Sequence, residues 1–203
     1  MNTPNINQLS PNAAKLFSHF LNNFPPDNNR TALSEKKEGS LISILPTELR
    51  EFYSAYGTGG FGNGIIRLID PDEYADTLYR WLGRNDSSKA PFMMTAFGDM
   101  IYYRKLSDTD DDVCLLDVHY RRTEVLAYSF QLYADSVLSS PGLMSQLLYS
   151  ELYSYALLEK GCLSDNEIFC FSPALVLGGK AELSAVTKAK AREHLELLFQ
   201  IGC

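Results

Sequence analysis

The sequence predicts an α+β fold in which helices flank a central, mostly antiparallel sheet and the C-terminal third is helical. Two observations predict it. Segments with apolar residues at helical spacing lie before and after a run of short apolar segments that are typical of strands. Only short polar turns separate those strands, and short turns join antiparallel neighbours, whereas parallel strands need long crossover connections.

Residues 1–40 are predicted to form an N-terminal extension with one short helix. Within residues 12–22, the side chains of Phe17 and Phe20 lie on the same face of a helix together with smaller apolar residues. Residues 24–39 (FPPDNNRTALSEKKEG) are rich in proline, asparagine and charged side chains, which favour a loop.

Two further helices are predicted at residues 46–57 and 70–83, because proline stands at each start and glycine at each end. Between them, the apolar residues 65–69 predict a strand. The residues expected on the buried face of the first of these helices are Leu45, Leu49, Phe52 and Tyr53.

A run of strands is predicted next, followed by the helical C-terminal third. The predicted strands are residues 92–97, 100–106, 113–118 and 124–130. The C-terminal helices are expected at residues 143–158 and 185–199, where apolar residues recur at helical spacing. Residues 168–177, between those helices, form an apolar segment that Pro173 interrupts.

The charge of the chain limits the kinds of partner that it can bind. The formal net charge is −7, so long-range electrostatics repel phosphate backbones and attract basic surfaces. We therefore expect no direct nucleic-acid binding, and a basic protein partner such as a nuclease with a cationic groove fits better. The alternative is that the acidic surface serves solubility alone.

The cysteines and the N-terminus indicate a reduced, cytoplasmic protein. The four cysteines contain no C-x-x-C pair and have no histidines at zinc spacing. The start of the chain lacks a basic region followed by an apolar run, and no apolar run reaches the roughly 18 residues that a membrane-spanning helix needs. The cysteines are Cys114, Cys162, Cys170 and Cys203.

The glycine-rich segment at residues 57–62 (GTGGFG) fits the G-x-G-x-x-G pattern of dinucleotide-binding loops. In that motif the loop leaves a strand and enters a helix, whose N-terminus faces the phosphates. Here the segment lies in the opposite order, between a predicted helix and a predicted strand. We therefore interpret it as a structural loop without a cofactor. The residues expected to allow left-handed backbone or close backbone crossing are Gly59, Gly60, Gly62, Gly64 and Asn63.

An acidic segment at residues 107–113 (SDTDDDV) places aspartates at the first three ligand positions of an EF-hand loop. The pattern then fails, because Val113 stands where that loop needs glycine and His119 where it needs glutamate. We predict no metal site here. The segment is either a solvated strand connection or part of a surface that binds a basic partner. The candidate partner-binding residues are Asp108, Asp110, Asp111 and Asp112.

No set of catalytic residues stands out in the sequence. Asp117 and His119 are expected on one face of the same strand, where the acid could orient the histidine as a base. No nucleophile accompanies them, and none of the common hydrolase motifs is present. We favour a structural, hydrogen-bonded histidine and expect no catalytic residues.

Four segments carry a family resemblance when they are taken together and in order. They are LPTELREFYSAYGTGGFGNGIIRLIDPDEY at 45–74, TAFGD at 95–99, LDVHYRR at 116–122, and FSPALVLGGKAELSAVTKAKAREHLELLFQIG at 171–202. The set resembles bacterial proteins that join a GAD-like domain to a C-terminal immunity domain associated with type VI secretion DNase effectors. The resemblance implies a GAD-like α+β region at 41–135 and an immunity-type helical region at 136–203, packed as one unit.

The leading hypothesis is therefore an immunity protein that binds and neutralises a cognate toxic effector, a type VI secretion DNase, in the bacterial cytoplasm. The resemblance implies no cofactor and no catalytic residues. Two alternatives stay open: a hydrolase that uses Asp117 and His119, and a stand-alone regulatory or ligand-binding module on the same scaffold.

Overall fold

Seven strands, each antiparallel to its neighbours, form a sheet whose order follows the chain in the computed structural model, which describes residues 6–33 and 40–201. The strands are β1 (Pro26–Thr31), β2 (Thr58–Phe61), β3 (Ile66–Leu68), β4 (Lys89–Thr95), β5 (Met100–Lys105), β6 (Asp111–Asp117) and β7 (Arg122–Ala127). A second, two-stranded antiparallel sheet consists of β8 (Glu167–Phe171) and β9 (Val186–Lys190). The predicted α+β class with a central antiparallel sheet is confirmed.

Helices precede, interrupt and follow the large sheet. They are α1 (Pro11–Asn23), α2 (Thr47–Tyr56), α3 (Pro71–Leu82), α4 (Phe130–Leu132), α5 (Pro141–Leu147), α6 (Ser150–Lys160) and α7 (Ala191–Ile201). A π-helical segment, Tyr133–Leu138, continues α4. Helix α3 begins and ends at the residues predicted from the sequence. Asp70 caps its N-terminus by accepting a hydrogen bond from the Asp72 amide at 3.0 Å, and Gly83 ends it with a φ of 76°.

Aromatic side chains join the first two helices to the sheet. Phe17 of α1 stacks on Phe52 of α2 with ring centroids 4.2 Å apart, and Phe52 also stacks on Phe61 of β2 at 5.6 Å. All three side chains are fully buried. The predicted buried face of α2 is confirmed, because the side chains expected there, Leu45, Leu49, Phe52 and Tyr53, lie in the core.

Two segments predicted to be loops are strands. Residues 26–31 form β1, which pairs with β2, and most of the glycine-rich segment is β2 itself. Their polar and glycine residues give no alternating strand pattern, and the pairing itself rests on backbone hydrogen bonds, which depend little on side-chain pattern. The rest of the predicted loop, residues 34–39, lies outside the described residues, as does Cys203.

The C-terminal third is less helical than predicted. The expected helix at 143–158 is divided into α5 and α6 by Tyr149, whose φ of 49° is left-handed. The expected helix at 185–199 begins only at α7, because residues 186–190 pair with β8 as β9.

The C-terminal elements pack directly on the large sheet. Phe171 of β8 stacks on Phe97, which follows β4, with centroids 5.4 Å apart. The guanidinium of Arg67 in β3 donates to the carbonyl oxygens of Asp165, at 2.6 Å, and of Glu167. The Tyr153 hydroxyl of α6 donates to the Asn63 carbonyl. These hydrogen bonds, which are partly buried, tie the two parts of the chain together, and a polar group that is buried without a partner is costly.

Candidate interaction surface

The acidic turn, residues 106–110, connects β5 to β6 at one end of the large sheet. Its carboxylates are partly organised by the turn itself. The Ser107 hydroxyl donates to Asp110 at 2.8 Å, and Lys105 Nζ donates to Asp108 at 2.9 Å. The Asp108 side chain is 97% exposed and Asp110 is also exposed. Both can therefore meet a partner without any change in the backbone.

The other two candidate partner-binding residues belong to β6 and are used inside the protein. Asp111 accepts the Phe130 amide at 2.6 Å, and partial burial raises the pKa of its carboxyl. Asp112 is only 2% exposed and accepts both Nε, at 2.9 Å, and Nη2 of Arg104. The segment is thus divided between two structural carboxylates and two exposed ones. In this arrangement Asp112 offers a partner no accessible carboxylate.

The Asp117 and His119 pair is a structural network. Strand β6 ends at Asp117, so the prediction that His119 shares its strand is wrong; His119 lies in the following turn. One Asp117 oxygen accepts the His119 and Tyr120 amides at 3.1 and 3.0 Å, and the other accepts Arg122 Nε at 3.0 Å. These bonds close the turn that joins β6 to β7.

The His119 ring is 2% exposed, and its Nε2 donates to the Phe97 carbonyl at 2.9 Å. Burial lowers the pKa of His119 to about 4, so the ring is neutral near pH 7. A neutral ring committed to a main-chain carbonyl fits the structural interpretation made from the sequence.

The glycine-rich hairpin borders a cleft of about 850 Å³ between the large sheet and the loop after α6. The hairpin follows helix α2 and enters strand β3, which confirms the predicted helix-to-strand order. Gly62 has a φ of 62°, as predicted, whereas Gly60 has an ordinary φ and is needed for space: a Cβ there would lie 2.2 Å from Asp27 Oδ2. Asn63, with a φ of 64°, also adopts the left-handed backbone.

Residues 6–33 and 40–201 contain no group of three or more His, Cys, Asp or Glu side chains arranged to hold a metal ion. None of the helices among them has the length and apolar character needed to cross a membrane.

The sequence did not identify the exposed aromatic residues that flank β7. Tyr120 and Tyr128, at the two ends of β7, are exposed, whereas Tyr133, a few residues further on, is completely buried. No local pattern separates these tyrosines, since exposure depends on which elements fold over each one. Exposed tyrosines often supply contact area in protein interfaces.

Two protein-family models match this chain, one in each part of it. Residues 15–112 match the GAD-like domain, and residues 127–202 match the family described as T6SS immunity protein Tdi1, C-terminal. The crystal structure of Atu4351 from Agrobacterium tumefaciens superposes with a TM-score of 0.70 over 91% of this chain and 88% of that chain, at 15% identity. At this identity the likeness shows the fold alone. The search of curated proteins gave no significant match.

Proposed function

We propose, from the matches of residues 15–112 to the GAD-like domain and of residues 127–202 to the C-terminal domain of T6SS immunity protein Tdi1, that the chain binds a cognate toxic effector of a type VI secretion system and holds it inactive. The single observation that carries the proposal is the match of residues 127–202 to an immunity family. The match agrees with the family resemblance of the sequence.

The nature of the effector is the finer part of the proposal. We propose a basic nuclease that acts on DNA, neutralised in the cytoplasm. Support comes from the net charge of −7 and from the exposed carboxylates of Asp108 and Asp110. An acidic surface speeds the approach of a cationic nuclease and presents the same sign of charge as the DNA that the nuclease binds.

We further propose that the chain acts by binding alone, without catalysis. Support comes from the network around Asp117 and His119, in which main-chain groups and Arg122 occupy both side chains. A general base must reach the proton that it removes, and a ring that is 2% exposed and bonded to a carbonyl is poorly placed to do so.

Co-expression in a bacterial host tests the proposal. The protein encoded by the adjacent gene is induced alone, with this chain, or with an unrelated acidic protein of similar size. We expect killing in the first and third cultures and growth in the second.

The variants His119→Gln and Asp117→Asn, where circular dichroism shows them folded, should protect as well as the wild type. Loss of protection in both folded variants would favour the hydrolase hypothesis.

A further inference from the structure

The outer edge of strand β7 is the least protected strand edge in the described part of the chain. An edge strand presents unpaired N–H and C=O groups, and proteins usually protect it with proline, lysine or a covering element. At the opposite edge of the large sheet, β1 starts with Pro26 and continues with polar residues. In the small sheet, β9 carries Lys188 and Lys190. Strand β7 (RTEVLA) contains neither proline nor lysine.

Much of β7 is uncovered, although the π-helical segment Tyr133–Leu138 packs close to it. Its first four residues, Arg122 to Val125, are exposed, although side chains alternate between the two faces of a strand. The neighbouring strand β6 is almost entirely buried. Residues 6–33 and 40–201 supply β7 with one strand partner, β6, and none on its outer side. Exposure on both faces together with an unpaired edge leaves room for another strand.

Exposed apolar side chains flank this edge. Tyr120 precedes β7, Val125 lies within it and Tyr128, 82% exposed, follows it. Leu106 of the acidic turn is exposed at the end of the sheet where β7 ends, since Val113 at the start of β6 pairs with Ala127. Single exposed apolar residues are ordinary, but several beside an unpaired strand are typical of a protein-binding surface. We call β7 with Leu106, Tyr120 and Tyr128 the edge surface.

The charges around the edge surface favour a basic partner. Arg122 is already paired with Asp117 and Glu124, at 3.0 and 3.1 Å. The acidic turn and β7 carry three carboxylates, Asp108, Asp110 and Glu124, against one cation, Arg122, to which Lys105 beside the turn adds a second. Carboxylates therefore exceed cations near β7, and a segment with lysine or arginine at alternate positions complements them.

We propose that an extended, basic segment of the effector adds to β7 as an eighth strand of the large sheet. This inference rests on the proposed function and specifies how the partner is held. Main-chain hydrogen bonds to the outer edge of β7 supply affinity, and the tyrosines at its two ends bury apolar parts of the segment. At the end of the segment next to Tyr128, basic side chains lie beside Asp108 and Asp110.

Hydrogen exchange locates the added strand. The probe is the purified product of the adjacent gene, inactivated in its toxin domain, mixed with the full chain. We expect backbone amides within β7 to exchange at least about tenfold more slowly in the complex, because new hydrogen bonds protect them. Amides of β1 and β9 serve as internal controls and should not change. Unchanged exchange throughout β7 in a formed complex would overturn the inference.

Matched substitutions test the same edge through affinity. Val125→Lys places a cation on the edge, and its control is Val176→Lys, because Val125 and Val176 are 42% and 40% exposed. Tyr128→Ala is compared with Tyr155→Ala, a change at another exposed tyrosine. We expect the dissociation constant to rise about tenfold or more for the β7 variants and to stay within about twofold of wild type for the controls.

The outcomes separate this inference from the proposed function. If the wild type protects cells and binds the probe, but Val125→Lys and Val176→Lys bind equally well, the edge is not the contact and only the function stands. If the adjacent toxin is not neutralised and no complex forms, both proposals fail. If light scattering shows that the chain alone is a dimer, and Val125→Lys dissociates it, the occupant of the edge is a second copy and the inference is wrong.

Discussion

Asp112 faces Arg104 across the pair formed by β5 and β6, and its carboxylate accepts two hydrogen bonds from the guanidinium of that arginine. The side chain of Asp112 is 3% exposed and that of Arg104 is 32% exposed. A charge-assisted, two-point contact at the margin of the core is stronger than a surface ion pair. An acidic residue that looked like part of a solvated loop therefore holds two strands together.

The first prediction follows from this contact. Asp112→Asn removes the charge and one of the two acceptors, so it should lower the free energy of unfolding by about 1.5–3 kcal/mol. Asp108→Asn, at the exposed tip of the same turn, should leave the urea midpoint unchanged. Urea denaturation followed by circular dichroism measures both. Equal midpoints for the two variants would contradict the division of this segment into structural and exposed carboxylates.

A second prediction concerns the exposed carboxylates and the rate of association. The double variant Asp108→Asn and Asp110→Asn should bind the effector more slowly at low salt, while the dissociation rate changes little, because rim charges act mainly through steering. At high ionic strength the two proteins should converge, since the screening length falls below roughly 8 Å. Stopped-flow fluorescence at several salt concentrations gives the rates. Identical association at low salt would leave the turn without a steering role.

A third prediction is a pH dependence of stability caused by His119. Its pKa in the folded protein is about 4, below the ordinary value of 6.5, so the unfolded chain binds a proton at pH values where the folded chain does not. The contribution of His119 to stability should therefore fall as pH drops from about 6.5 toward 4, by roughly 2 kcal/mol between pH 7.5 and 5.

His119→Gln should remove most of that loss, and the exposed His19 provides the control, because His19→Gln should retain it. Burial also lowers the pKa of His194, which adds a slope of the same sign, whereas burial raises the pKa of the Asp99 carboxyl, which adds a slope of the opposite sign. Urea titrations at pH 7.5 and pH 5 measure the free energy of unfolding of each protein. A stability difference between wild type and His119→Gln that is the same at both pH values would contradict the buried, neutral state of His119.

The fourth prediction separates two roles of glycine in the hairpin. Gly62→Ala forces a side chain into a left-handed backbone and should cost about 1–2 kcal/mol. Gly60→Ala should also destabilise, but through collision with Asp27. In an Asp27→Ala background the penalty at Gly60 should shrink while that at Gly62 persists. A double-mutant cycle measures the coupling, and additive penalties at both positions would refute the space argument.

The helices that begin at a capping side chain and end at a glycine could be predicted from the sequence. Helix α3 lies between Asp70 and Gly83, as predicted, because a capping side chain and a left-handed glycine act within a few residues. Strands β1 and β9 could not be predicted in the same way. Their polar residues pair through the backbone with segments distant in the chain, and side-chain pattern carries little of that information.

The sequence predicted which residues cluster at the candidate site but not which of them are exposed, because exposure depends on tertiary packing. The sequence shows a cluster of aspartates, but the burial of Asp112 depends on the register that places Arg104 opposite it. The exposure of Tyr128 and the burial of Tyr133 depend in turn on how α4 and the π-helical segment cover the sheet. Tertiary packing therefore decides which members of a sequence cluster can meet a partner.

The most direct test of the central claim is a titration of toxin activity in vitro. Increasing amounts of this chain are added to a fixed concentration of the active product of the adjacent gene, and the cleavage of DNA is followed by fluorescence. We predict a linear fall in activity that reaches zero at one chain per toxin, as expected for tight inhibition by binding. Full toxin activity in the presence of a large excess of the folded chain would contradict the account.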